Sequence, residues 1–249
     1  MREVLVFDVD GTLTPPRAKM DEAMARCLRR LGELRSVFLV TGSDIGKLRQ
    51  QVPGDILAGM RGLFVCSGNE LWTGDKLVYS MSHTFPDAVI AFAREVLAAS
   101  PYKTRAGCHV EERTGTLNLS VVGRRASVAQ RRDYLLHDRR TGERLEIARA
   151  IEARFPDYEA HCGGQISIDV APRGWNKGRV VAEIRNRTPE RAMHFFGDNV
   201  CEGGNDRPFA SALAADGPHH RVHPVADWRE TLAILEAEYL QVLARGEVA

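Results

Sequence analysis

The sequence has little of what several classes of protein require. Its five cysteines lie 39 or more residues apart, so no pair has the short spacing of a zinc site or a redox dithiol. Lys+Arg and Asp+Glu number 34 and 33, and a net charge of +1 gives no general attraction to nucleic acid or to an anionic membrane. No apolar run approaches the roughly 18 residues of a membrane span. We therefore expect no nucleic-acid or membrane partner, no signal peptide and a cytoplasmic protein with reduced thiols.

The pattern of apolar residues predicts an α/β fold. Val4–Phe7 and Ser36–Val40 are unbroken apolar runs, which are typical of strands buried on both faces of a sheet. A third strand is predicted at 62–66 and a hairpin turn at 73–76, and strand 192–196 resumes the alternation with helices. This order predicts a Rossmann-like, mostly parallel core sheet with helices on both faces.

The middle of the chain has a different pattern. After about residue 83 we predict a helix at 86–99, strands on either side of a turn at 113–115, helices at 127–138 and 143–154, and a strand at 165–170. This order predicts an inserted α+β domain at 83–171, within a catalytic core made of residues 1–82 and 172–249.

Polar clusters fall at or near the carboxyl ends of the predicted strands, where open α/β sheets bind ligands. They are Asp8-Val9-Asp10-Gly11-Thr12, Thr41-Gly42-Ser43-Asp44, Lys177, and Gly197-Asp198 with Asn205-Asp206. Oxygen donors on separate strand ends make a site for a hard cation, and Mg²⁺ fits best. A magnesium ion beside a spare carboxylate and a lysine is suited to phosphoryl transfer.

These clusters resemble the motifs of the haloacid-dehalogenase-like phosphotransferases. More narrowly, the chain from about residue 4 to 243 is similar to the eukaryotic-type phosphomannomutases of that superfamily. The most specific match is Gly-Gly-Gln-Ile-Ser-Ile-Asp-Val at 163–170, a segment that the general phosphatases of the superfamily do not share. The resemblance makes the inserted domain a type IIB cap.

The resemblance implies a role for each acidic residue. Asp8 would be the nucleophile that becomes an aspartyl phosphate, and Asp10 would be the general acid/base. Mg²⁺ would be held by the Asp8 side chain, the Asp10 carbonyl and Asp198, with Asn205 and Asp206 in supporting positions around the metal.

The resemblance also assigns groups to the transferring phosphoryl. Lys177 would pair with Asp8 and with that phosphoryl. A hydroxyl would donate to the same group, and the spacing leaves open whether it belongs to Thr41 or to Ser43.

Arginines are concentrated in the inserted segment. From 124 to 140 six arginines accompany two acids, a local excess of +4, and arginine forks bind phosphate in a bidentate manner. A mutase needs such a second site, because one phosphate of its bisphosphate must be held while the other meets Asp8. The resemblance selects Arg17, Arg113, Arg124 and Arg131, with Ser167 as a hydroxyl donor, and it assigns Asp169 to the sugar hydroxyls.

The remaining charged residues of the inserted segment are interpreted more simply. Arg125, Arg132, Arg139 and Arg140 fit a solvated helix face better than a binding site. Glu111 and Glu112 are interpreted as a solvated strand edge rather than as a pair of catalytic acids.

The resemblance implies an enzyme that interconverts mannose 6-phosphate and mannose 1-phosphate. A hexose 1,6-bisphosphate would activate it by phosphorylating Asp8, and its partners would be small hexose phosphates and a second copy bound through the cap. A Mg²⁺-dependent sugar-phosphate phosphatase is the first alternative, and a silent sugar-phosphate binder is the second. Thr116 stands where the family has a methionine, and Thr116 and Gln165 are both expected near the substrate face of the cap, so the preferred hexose stays open.

Overall fold

A computed structural model describes residues 3–188 and 192–240, and eleven strands lie within them. In chain order they are β1 (Val4–Phe7), β2 (Ser36–Val40), β3 (Gly62–Val65), β4 (Glu70–Thr73), β5 (Lys76–Ser80), β6 (Val110–Arg113), β7 (Thr116–Leu119), β8 (Tyr158–Gly163), β9 (Ser167–Pro172), β10 (Met193–Gly197) and β11 (Arg221–Pro224). They form a larger sheet and a smaller sheet.

The larger sheet has seven strands in the order β11-β10-β1-β2-β3-β4-β5. The first five of these run parallel, and β4 and β5 are added at one edge as an antiparallel hairpin. The predicted mostly parallel α/β sheet is therefore confirmed. Parallel strands end on the same edge, so the segments that follow β1, β2 and β10 meet there.

Helices cover both faces of the larger sheet. The α-helices of the described residues are α1 (Glu22–Leu34), α2 (Ile45–Gln51), α3 (Gly54–Gly59), α4 (Asp87–Ala98), α5 (Val128–Thr141), α6 (Glu143–Arg154), α7 (Val180–Arg185), α8 (Arg207–Asp216) and α9 (Trp228–Ile234), of which α4, α5 and α6 pack on the smaller sheet instead. Side chains alternate along β1, so Leu5 packs in a cluster with Leu28 of α1, whereas Val6 packs with Leu213 of α8 on the opposite face. Both sets are buried, which explains why β1 has no polar residue.

The smaller sheet is antiparallel, with the order β6-β7-β9-β8. Leu117 and Ile168 point to one face and pack with residues of α4, α5 and α6 in a separate hydrophobic core. The neighbouring positions in β7 and β9, Asn118 and Asp169, lie opposite each other and point to the other face. That face turns toward the carboxyl ends of the parallel strands.

Two features differ from the sequence expectations. Strand β8 is not predicted, although Tyr158 and Ala160 in the core alternate with Glu159 and His161 on the polar face of the smaller sheet. The helix predicted over 227–244 is observed as α9 followed by one π-helical segment, Leu235–Leu240, and its last residues lie outside the described ones. No helix in residues 3–188 or 192–240 is long and apolar enough to span a membrane.

Candidate active site

A buried lysine and two aspartates form the floor of the site. Lys177 Nζ lies 2.5 Å from Asp8 Oδ1 and 2.6 Å from Asp206 Oδ1, and the lysine side chain is 0% exposed. Burial opposes the charged form of the lysine, but the two carboxylates raise its pKa above the ordinary value. The ammonium therefore stays charged and fixes the Asp8 carboxylate just beyond the end of β1.

Asp198 brings a further carboxylate to this floor. Carboxylate oxygens of Asp8, Asp198 and Asp206 all lie within 4.8 Å of one another. Loss of solvent and the nearby Asp8 and Asp206 carboxylates raise the pKa of Asp198, although its side chain remains accessible from the cavity. Burial likewise raises the pKa of Asp8, an effect that Lys177 opposes.

The donor set at this floor suits a hard divalent cation. The Asp8 and Asp198 carboxylates offer oxygen ligands with Asp206 behind them, and a bound cation would oppose the burial and repulsion that raise the pKa of Asp8 and Asp198. Gly11 has φ +96°, and a Cβ there would lie only 2.3 Å from Asp198 Oδ2. Glycine is thus required for Asp198 to approach the loop after β1, and these residues fit Mg²⁺.

Asp10 faces a different set of groups from Asp8. Its carboxylate accepts hydrogen bonds from Lys47 Nζ at 2.6 Å, Gln51 Nε2 at 2.9 Å and the main-chain N–H of Arg17 at 2.6 Å. Burial alone would raise the pKa of Asp10, but Lys47 and these hydrogen bonds lower it below the ordinary value. Asp10 is therefore held as a carboxylate beside Asp8.

Thr41 and Ser43 occupy the loop between β2 and α2. Ser43 Oγ lies 3.2 Å from Asp10 Oδ2 and 2.9 Å from Lys47 Nζ, whereas Thr41 Oγ1 accepts a hydrogen bond from the Ser43 main-chain N–H. Asp44 caps α2 by accepting from the Lys47 N–H at 2.8 Å. Both hydroxyls line the same cavity as Asp8.

Arginine side chains line the opposite wall of this cavity. Arg124 Nη1 donates to Ser167 Oγ at 2.9 Å, while Arg131 donates to the carbonyls of Ala126 and Arg124. Burial and the nearby Arg17 and Arg124 charges lower the pKa of Arg131 to about 10. These arginines repel one another and together present an excess of positive charge to the cavity.

The polar face of the smaller sheet supplies groups suited to hydroxyls. Asn118 Nδ2 donates to Asp169 Oδ1 at 2.5 Å, and both side chains line the cavity. Asn118 Oδ1 is buried and has no hydrogen-bond partner within the described part of the chain. Such an orphan acceptor beside a carboxylate is suited to binding a sugar hydroxyl.

The cavity brings together most of the residues that the sequence singles out. Twelve of them line it: Asp8, Asp10, Arg17, Thr41, Ser43, Arg113, Arg124, Arg131, Ser167, Asp169, Asp198 and Asn205. Lys177 and Asp206 lie behind Asp8 in the protein interior, and Asp206 accepts from the lysine and from the Asn199 N–H. Asp206 therefore acts directly on the lysine that orients Asp8.

Sequence reasoning gave no role in the site to four residues that lie there. Lys47 and Gln51 lie four residues apart on one face of α2, and that spacing after the Ser43 loop is the signal that could have found them. Asn118 could have been found as the polar residue between Leu117 and Leu119 in an alternating strand. Glu111 lies on the edge strand β6 and is 44% exposed, as the interpretation of a solvated strand edge implies, but its carboxylate also contacts two arginines of the cavity.

Solved structures share this fold. The N-terminally truncated, IMP-bound IMP-nucleotidase of Plasmodium falciparum aligns with a TM-score of 0.64 over 94% of this chain and 67% of that one, at 16% identity. The C-terminal domain of trehalose-6-phosphate phosphatase from C. albicans aligns with a TM-score of 0.63 over 94% and 90%, at 18% identity. These likenesses define the class of fold, a mostly parallel α/β sheet with aspartates at the carboxyl edge of its parallel strands.

Sequence comparison narrows the class to a family. The eukaryotic phosphomannomutase family model matches residues 24–235. Phosphomannomutase from Galdieria sulphuraria is 34% identical over 209 residues, which cover 81% of this chain and 82% of the relative. That of Encephalitozoon cuniculi is 32% identical over 213 residues, covering 82% and 83%. The chain therefore belongs to the eukaryotic phosphomannomutase family.

Proposed function

We propose that this protein is a phosphomannomutase that interconverts mannose 6-phosphate and mannose 1-phosphate. One observation carries the proposal beyond family membership: a single cavity has the Asp8–Lys177 pair at one end and a cluster of arginines at the other. A phosphatase needs one phosphate site, whereas a mutase must hold the second phosphate of a hexose 1,6-bisphosphate. A cavity with a phosphate site at each end therefore favours a mutase over a phosphatase.

The proposed chemistry begins at Asp8. One of its carboxylate oxygens attacks phosphorus, and the bond from phosphorus to the bisphosphate oxygen breaks with its electron pair on that oxygen. When bisphosphate forms, the Asp10 carboxylate takes the proton of the attacking sugar hydroxyl, and it gives that proton to the leaving oxygen when a phosphoryl group returns to Asp8. The product is a hexose monophosphate and an aspartyl phosphate at Asp8, which a hexose monophosphate then converts back to bisphosphate.

The surrounding side chains support this assignment of roles. Lys177 lies 2.5 Å from Asp8 and can remain beside the phosphoryl group as it moves. Ser43 and Thr41 both offer a hydroxyl from the neighbouring loop, and Ser43 also contacts Asp10. Lys47 is part of our proposal as the group that keeps Asp10 ionised before it takes a proton.

We propose that Mg²⁺ is the cofactor of this protein. The carboxylates of Asp8 and Asp198 and the main-chain carbonyl of Asp10 would hold it, with Asn205 and Asp206 in supporting positions. When bound, the ion supplies positive charge that neutralises the phosphoryl oxygens and the clustered carboxylates. Removal with EDTA should abolish turnover and added Mg²⁺ should restore it.

Arg17, Arg113, Arg124 and Arg131, with Ser167, form the proposed second phosphate site. Asp169 and the orphan Asn118 oxygen would take sugar hydroxyls between the two phosphates. The substrates are thus small hexose phosphates rather than nucleic acid, and a hexose 1,6-bisphosphate serves as activator.

We also propose how the chain is divided into domains. We assign residues 1–82 and 172–249 to the catalytic core and 83–171 to a cap, since the smaller sheet and its helices have their own hydrophobic core. The cap would exclude water from the aspartyl phosphate. We further propose that the protein forms a homodimer through the cap and that it is located in the cytoplasm.

The decisive experiment is ³¹P NMR of mannose 1-phosphate with the protein and Mg²⁺, with and without catalytic hexose 1,6-bisphosphate. A mutase gives mannose 6-phosphate, faster with the bisphosphate, and little inorganic phosphate. Steady release of inorganic phosphate without dependence on the bisphosphate would identify a phosphatase instead. No turnover in either form would leave only a sugar-phosphate binder.

A further inference from the structure

We infer that Glu111 is an internal counter-ion of the arginine cluster, which the second phosphate of the substrate displaces on binding and which favours its release. The inference rests on the proposed function and deepens it, because it concerns how the second phosphate site releases the phosphate that it has bound. Among the described residues, Glu111 is the carboxylate that forms ion pairs with both Arg113 and Arg124.

The strand geometry points Glu111 into the site. In the antiparallel pair of β6 and β7, Glu111 lies opposite Asn118, which in turn lies opposite Asp169 in β9. Residues two apart share a face, so Arg113 is on the same side as Glu111. Glu111 is thus at the end of a row of polar residues that faces the cavity.

Glu111 contacts the arginines through one oxygen. Its Oε2 accepts from Arg113 Nε at 2.8 Å and from Arg113 Nη2, and it lies 3.6 Å from Arg124 Nε. These nitrogens belong to the guanidinium groups that a phosphate would engage. A phosphate that binds to Nε and Nη2 of Arg113 therefore takes the place of the Glu111 carboxylate on that arginine.

The neighbouring acid provides an internal comparison. Glu112 lies opposite Leu117, so it is on the other face of the strand, and it is exposed. It forms no ion pair with any residue of the described ranges. Two adjacent glutamates on the same edge strand thus differ in whether they reach the arginines.

Charge explains why a carboxylate is useful here. Burial and the nearby Arg113 lower the pKa of Arg124, whereas Glu111 raises it again. Without a ligand, Glu111 neutralises part of the repulsion between the arginines. Its side chain is 44% exposed, compared with 17% for Arg113, so it can leave toward solvent when a phosphate arrives.

The consequence is a competition that suits a mutase. The bisphosphate must exchange its two ends between Asp8 and the arginines in each turnover, so the second site has to release a phosphate as readily as it binds one. Because Glu111 is part of the same chain, its carboxylate competes at high effective concentration and lowers the apparent affinity of the arginines for phosphate. When the phosphate leaves, the carboxylate pairs with the arginines again. A site of arginines alone would hold the intermediate longer.

Binding to a protein that cannot turn over tests the inference. In an Asp8→Asn background, Glu111→Gln should bind mannose 6-phosphate about three- to tenfold more tightly, since partly exposed ion pairs contribute modestly. Calorimetry with added Mg²⁺ measures the dissociation constant, and Glu112→Gln in the same background should change it less than twofold. Thermal unfolding checks that each variant is folded, and Glu111→Asp serves as a second, intermediate variant if Glu111→Gln does not fold.

Turnover supplies a separate readout. In the protein with Asp8 intact, Glu111→Gln should lower KM for the hexose phosphate and also lower kcat, because release of the second phosphate becomes slower. A merely structural role would not tighten binding. Unchanged or weaker binding in Glu111→Gln, or in Glu111→Asp where that replaces it, would overturn the inference.

The two proposals fail in different ways. If the protein shows no mutase activity but Glu111→Gln still tightens binding of mannose 6-phosphate, the proposed function is wrong and the role of Glu111 at the arginine cluster stands. If mutase activity is found and binding does not tighten, the counter-ion inference alone is wrong.

Discussion

The two ends of the cavity hold their charges in different ways. At the end formed by the larger sheet, Lys177 is fully buried between Asp8 and Asp206, and each contact is 2.6 Å or shorter. At the end formed by the smaller sheet, the Glu111 carboxylate that pairs with Arg113 and Arg124 is 44% exposed. One end is built of fixed, buried pairs, and the other of pairs that solvent and ligand can reach.

This difference matches what each end has to do. A nucleophile must stay in one position while phosphorus approaches it, and buried pairs with complete hydrogen bonding provide that rigidity. A second phosphate site must bind and release its ligand in every turnover, and partly exposed charges exchange partners at small cost. The comparison leads us to expect that substitutions at the first end abolish chemistry and those at the second change affinity.

Asp8→Asn should have the largest effect. It removes the attacking carboxylate, so both mutase activity and hydrolysis of acetyl phosphate should fall at least about a thousandfold. Asp75→Asn, on an exposed turn, is the control and should keep activity. Since Asp8 is crowded by other carboxylates, the free energy of unfolding in urea should not decrease. Retained turnover in Asp8→Asn would contradict the assignment of Asp8 as the nucleophile.

Arg124→Ala should come next and should affect binding. Loss of charge-assisted hydrogen bonds at the second end should raise KM for mannose 6-phosphate about ten- to a hundredfold. Acetyl phosphate has no second phosphate, so its hydrolysis should change far less. Arg125→Ala removes the adjacent, exposed arginine and should stay within about twofold. Equal losses on both substrates would contradict the division between the two ends.

Acid should destabilise the region of the larger sheet through His194. Burial lowers the pKa of this histidine to about 4, and its Nδ1 lies 2.5 Å from the Tyr239 hydroxyl. The unfolded chain takes up the proton near the ordinary pKa, whereas the folded chain does not, so stability falls as pH drops below about 6.5. Between pH 7 and 5 the loss from this residue should be about 2 kcal/mol.

Urea unfolding at several pH values measures this loss. His194→Gln should shrink the pH dependence by about that amount, whatever its effect on stability at pH 7. His109→Gln, in the region of the smaller sheet, is the matched control and should retain the dependence. An unchanged pH dependence in His194→Gln would show that another group controls acid stability.

Lys47→Met should have the subtlest effect. Lys47 lowers the pKa of Asp10, so its removal should raise that pKa and move the acidic limb of the kcat/KM profile to higher pH. Lys76→Met, on strand β5 of the larger sheet, should leave the profile in place. A loss of rate without movement of the limb would mean that Lys47 contributes charge but does not set the protonation of Asp10.

Local patterns predicted much of the fold and the acids at the strand ends, whereas the family resemblance supplied the arginines of the cavity. Val4–Phe7 and Ser36–Val40 are apolar at every position, and such runs specify strands buried on both faces. The acids after β1 and β10 follow from the rule that ligands bind at the carboxyl ends of parallel strands. Strand β8 escaped prediction although Tyr158 and Ala160 of the core alternate with Glu159 and His161, because the alternation covers only a few residues directly after α6 and is a weak signal. Lys47 and Glu111 escaped because each has another ordinary reading, as a helix surface residue or a strand-edge acid.

The sequence by itself determined most of the strands and helices, and which chemical groups stand where the strands of the larger sheet end. These properties depend on neighbours within one or two turns of chain, so they are readable from spacing. Only the tertiary structure decided which charged groups meet. Lys177 contacts Asp8 although 169 residues of sequence separate them. Glu111 contacts Arg124 because the pleat of β6 and the loop after β7 place both side chains at the same part of the cavity. Such encounters arise from the packing of whole elements, and no local pattern records them.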